Sequence, residues 1–84
     1  MKAEILGTDN RGGQELLCTV MVVQGRLLVT PTAGHEKWKD FIFTAGDVPG
    51  DDGRAIDPDR SPTKWLLGLP KLFNGHRIRA RLVK

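Results

Sequence analysis

The sequence predicts a mainly β protein: a small five-stranded antiparallel sheet or partly open barrel, with one short helix before the last strand. Three observations carry this. Residues 15–30 hold two apolar, β-branched runs separated by Gly25, and residues 76–83 alternate basic with apolar side chains. Between them, Ser61-Pro62 and Gly68-Leu69-Pro70 supply a helix start and stop with room for only about two turns.

Lys2–Leu6 alternates as a short first strand, and GTDNRGGQ ends it with glycines and an Asp-Asn pair. That loop has neither GxxxxGK[ST] nor GxGxxG, so no phosphate-cradling motif is present. Glu15–Gln24 is the strongest strand, and Arg26–Thr30 follows it. A two-residue Gln24-Gly25 turn pairs Val22 with Leu27 and Val20 with Val29. Leu16, Cys18, Val20, Val22, Leu27 and Val29 then share a core face. A three-residue loop would move Arg26 onto that face, where a guanidinium fits poorly. The opposite face carries Leu17, Thr19, Met21, Val23, Leu28 and Thr30, too apolar for a plain solvent face. It is expected to be covered by other elements or, through Leu17, Met21 and Leu28, by a protein partner.

Pro31 ends the second hairpin strand. In TAGHEKWKDFIFTAG, Glu36–Lys39 could form a helical turn, while the composition of Phe41–Thr44 favours a strand; the reading taken is a loop, then a strand near Asp40–Ala45. His35 and Glu36 are sequence neighbours that point apart, so a surface histidine is expected. Residues 46–60 place five aspartates among glycines and prolines in a loop. Setting Gly53 at the glycine position of an EF-hand puts Val48 at the first ligand position, so no metal site is predicted. Pro62–Leu67 is the expected helix, with Trp65, Leu66 and Leu69 toward the sheet. Asn74-Gly75 then leads into a last strand over His76–Val83. This order of elements resembles SH3-like or OB-like layouts, an analogy of layout that carries no function.

The 84 residues form a single domain, 1–84, that on folding buries roughly 60–65% of the surface the unfolded chain exposes. Hydrophobic content of 39% with 27% charged residues sets it apart from disordered and fibrous chains. Cys18, the one cysteine, sits in an apolar run and reads as a buried side chain. MKAEILG has too short an apolar run for a signal peptide, and no stretch approaches the ~20 apolar residues of a membrane span, so a cytoplasmic protein without a membrane role is expected.

Charge is sorted along the chain. Residues 1–24 sum to minus one, 25–46 to plus one, 47–60 to minus three and 61–84 to plus six. On the last strand, alternation sets Arg77, Arg79 and Arg81 on one face, roughly 6.6–6.8 Å apart, a spacing within reach of successive phosphates. Lys64, Lys71 and Lys84 extend the basic set. The expectation is a small binding module that contacts an anionic partner, most simply nucleic-acid backbone, with no cofactor and no enzymatic chemistry. The alternative is a protein-interaction domain or small subunit of a larger complex. Cross-strand pairing with Glu4 or Glu15, or neutralisation by the acidic loop, would blunt the arginine row.

Overall fold

The structure, a computed structural model, describes residues 1–83; Lys84 of the predicted basic set lies outside the described residues. Four strands, β1 (Lys2–Thr8), β2 (Gln14–Val23), β3 (Arg26–Pro31) and β4 (Ile78–Val83), form one antiparallel sheet in the order β3-β2-β1-β4. Two short helices, α1 (Lys37–Phe43) and α2 (Pro62–Gly68), and a 3-10 turn over Leu69–Phe73 pack on one face of it. The protein is thus mainly β, and none of its helices among the described residues is long and apolar enough to cross a membrane.

The β2–β3 hairpin has the predicted register, with Val22 opposite Leu27 and Val20 opposite Val29. Gln24 and Gly25 both have positive φ, 49° and 74°, as a type I′ turn demands, so the apolar pattern overrides the weak turn preference of glutamine. At the other end of β2, Asp9 accepts the N–H groups of Arg11 and Gly13 at 2.9 and 2.7 Å and closes the β1–β2 turn.

A five-stranded antiparallel sheet or partly open barrel is expected from the sequence, and four strands in an open antiparallel sheet are found. The segment read as a strand near Asp40–Ala45 lies largely in α1. Trp38 and Ile42, four residues apart, are both buried on its inner face, and Phe41 meets Trp38 edge-on at 5.2 Å. Burial at helical spacing outweighs the strand preference of Phe-Ile-Phe. Without a fifth strand, β3 and β4 remain separate edges.

The pairing of β1 with β2 slips between Ile5 and Leu6, which lie opposite Cys18 and Leu16, so Leu17 is an extra residue in a bulge. The bulge sends Leu17 into the core, where it covers Gly7; a Cβ on Gly7 would stand 3.1 Å from Leu17 Cδ1. Leu16 consequently takes the outer face, and the two leucines exchange their predicted roles. The core joins Ala3, Ile5, Cys18 and Val20 of the sheet to the helical-side residues Trp38, Ile42, Val48, Trp65, Leu66 and Leu69.

The helix α2 starts at Pro62 as predicted. Ser61 fills the cap position without a side-chain hydrogen bond, and its carbonyl accepts the Trp65 N–H at 3.0 Å. Gly68 does not turn left-handed to stop the helix. Its φ is −85°, and the chain continues into the 3-10 turn, where Pro70 is tolerated near the start because no intrahelical N–H is needed there. Gly68 is small for a packing reason: a Cβ would stand 2.5 Å from Val48 Cγ1. Val48 is fully buried and anchors the acidic loop, whose Ile56 N–H donates to the Val48 carbonyl at 2.8 Å. The loop therefore belongs to the helical layer.

Candidate functional site

The sheet face away from the helices is open, and its residues follow from register and alternation. Three rows cross it: Leu28–Met21–Lys2–Val83, then Thr30–Thr19–Glu4–Arg81, then Leu16–Leu6–Arg79 on the three strands β2, β1 and β4. Val23 and Arg26 add a fourth pair at the hairpin end. Lys2, Arg26, Arg79 and Arg81 are its cations, and Glu4 is its single acid. Glu4 is one of the two acids that the sequence offers as a cross-strand partner of the arginines, whereas Lys2 and Arg26 were not singled out as part of this face. The signal was the Lys-Ala-Glu alternation of β1, but only the β1–β4 pairing places it beside the arginines.

Arg81 lies directly opposite Glu4, whose Oε1 accepts from its Nε at 3.1 Å and its Nη2 at 2.5 Å. One of the predicted cross-strand pairs is therefore present. The other acid named for such a role, Glu15, instead places Oε1 2.7 Å from His35 Nε2 and ties the loop before α1 to β2. Arg79 has no ion pair among the described residues, and its position opposite Leu6 makes its stem the β4-side neighbour of a leucine only 5% exposed.

The predicted three-rung arginine ladder has two rungs. The strand begins at Ile78 and not at His76, and Arg77 adopts a left-handed φ of 50° that breaks the alternation; its carbonyl accepts the Thr8 hydroxyl at 3.4 Å. Lys64 and Lys71 stand on the helical side. They line an open groove of about 640 Å³ with Asp51, Asp57, Arg54 and Arg60, and do not extend the arginine row. Of the three predicted interface residues, Leu17 is buried in the core. Met21 is half-buried on the open face and Leu28 is 56% exposed beside it.

The acidic loop makes no ion pair with the arginine row among the described residues. Its pair is internal, Arg60 with Asp57 at 4.0 Å, and Asp59 reaches the Gly25 turn on the β3 side of the sheet. The aromatic rings are on the helical side too: Trp38, Phe41, Phe73 and His76 form a cluster with centroids 5.2 to 6.4 Å apart, edge-to-face except for the tilted Phe41–His76 pair. The open face consequently offers cations without stacking platforms. Cys18 is buried in the core, and burial raises its thiol pKa to about 11. Among the described residues, no group of three or more His, Cys, Asp or Glu side chains is placed to hold a metal ion. No protein-family model matches the sequence, and neither a curated protein nor a solved structure matches the chain.

Proposed function

We propose that the protein is a small binding module whose open sheet face receives an anionic partner, with nucleic-acid backbone the class that suits it best. The observation that carries this reading is the sorting of charge across the fold. One face holds four cations against one carboxylate, while five of the seven aspartates sit in a loop fastened to the helical layer. Arg79 and Arg81 are two residues apart on one strand face, so their guanidinium forks can address successive phosphates. With no aromatic ring on that face, binding rests on phosphate contacts and shows little sequence preference. If all four cations engage, the logarithm of affinity falls against the logarithm of salt with a slope of about −3 to −4. Titration with mixed-sequence DNA and RNA at low salt tests this, with Arg79→Ala as the weakened control. Absence of binding at low salt refutes it.

A second reading has its own observation. Leu28 and Val23 are 56% and 42% exposed, and with Met21 they make the β2–β3 half of the same face apolar. A protein partner seated there would bury them. Sedimentation that shows a monomer at all concentrations, with unchanged behaviour of Leu28→Ser, counts against a second copy of the chain as that partner.

A further inference from the structure

The edges of the sheet differ. Outside the ladder to β1, no backbone hydrogen bond reaches β4 among the described residues, so every second residue of Ile78–Val83 turns its N–H and C=O outward. The side chains along this edge are sorted by face. Arg79 and Arg81 point to the open side, whereas Ile78 and Ala80 are only half-buried on the helical side and Leu82 is 37% exposed. A strand laid beside β4 would set its own residues alternately against the arginines and against this incompletely covered apolar row.

We infer that the outer edge of β4 receives an extended segment of a partner protein in which acidic and apolar residues alternate, adding a fifth strand to the sheet. Main-chain hydrogen bonds supply the attachment and the side chains set its register. An acid beside Arg79 meets a guanidinium that has no other ion pair among the described residues; one beside Arg81 extends the pair already made with Glu4. Apolar residues on the other side complete the cover of Ala80 and Leu82. The β3 edge suits this occupant less well, because its open-side residues between Arg26 and Pro31 are Leu28 and Thr30, and its last residue, Pro31, has no N–H to give. This site uses the backbone edge and stands whether or not the open face binds nucleic acid.

The test is hydrogen exchange and amide chemical shifts of the whole chain, with a peptide as long as β4 that alternates glutamate and valine, and its lysine–valine counterpart. The acidic peptide slows exchange of alternate β4 amides, the basic one does not, and Arg79→Glu weakens the acidic peptide about tenfold. A DNA oligomer that shifts the arginine side-chain signals without slowing the β4 amides leaves the edge assignment intact. The assignment is overturned if the acidic peptide fails to slow those amides, in which case the arginines serve only to keep the edge from pairing. It is equally overturned if both peptides protect β4 alike.

Discussion

Replacing Gly68 with alanine should destabilise the protein, although alanine is the better helix former. The added methyl carbon would stand 2.5 Å from Val48 Cγ1, where ordinary contact begins at 3.4 Å, so something must yield by nearly 1 Å. Val48 cannot retreat cheaply: it is fully buried, and its carbonyl holds the Ile56 N–H at 2.8 Å. Overpacking of this kind costs roughly 1–3 kcal/mol, and the helix preference of alanine over glycine returns at most about 1 kcal/mol. The net loss of up to about 2 kcal/mol lowers Tm by up to about 16 °C in a domain of this size. Thermal and urea unfolding followed by circular dichroism measure it. The decisive arm is the Val48→Ala background, where Cγ1 is gone and Gly68→Ala becomes neutral or stabilising, giving a coupling of about 1–3 kcal/mol. If Gly68→Ala raises Tm in the parent, or costs the same in both backgrounds, Val48 does not fasten the acidic loop beneath α2.

Two further outcomes follow from the same structure. Glu4→Gln releases Arg81 from its cross-strand partner, so affinity for DNA rises, while stability changes by less than about 1 kcal/mol because the Arg81 side chain is 58% exposed; unchanged or weaker DNA binding contradicts this. Cys18 resists a thiol reagent at neutral pH until the chain unfolds. Its folded pKa of about 11 lies above the ordinary 9.0, so stability is fully present below pH 9 and falls as pH rises from 9 toward 11, by about 2–3 kcal/mol at the end of that range. Cys18→Ala removes that decline, and an identical alkaline loss in the variant rules the thiol out as its source.

The elements that were legible in the sequence are those whose local chemistry and burial agree. The hairpin register followed from Val20, Val22, Leu27 and Val29 because a three-residue loop would bury Arg26. The start of α2 followed from Pro62. What stayed hidden depends on contacts between distant residues. The Leu17 bulge answers to Gly7, the small size of Gly68 to Val48, and the helix over Lys37–Phe43 to a core that takes Trp38 and Ile42 together. For the candidate site, alternation placed Arg79 and Arg81 on one face. Glu4 and Glu15 were both legible as cross-strand partners, but alternation could not reveal that it is Glu4 that lies opposite Arg81, that Arg77 leaves the strand, or that Lys64 and Lys71 stand on the far layer.

The proposed function sets an anionic partner on the open sheet face and not on the helical side, where Lys64, Lys71, Arg54 and Arg60 line the groove. Amide and arginine side-chain signals followed by NMR during titration with a mixed-sequence DNA oligomer at low salt test it directly. Shifts centred on Lys2, Thr19, Arg79 and Arg81 that vanish as salt is raised are expected. Shifts centred on Lys64 and Lys71 with the sheet face silent, or no shifts at low salt, would contradict it.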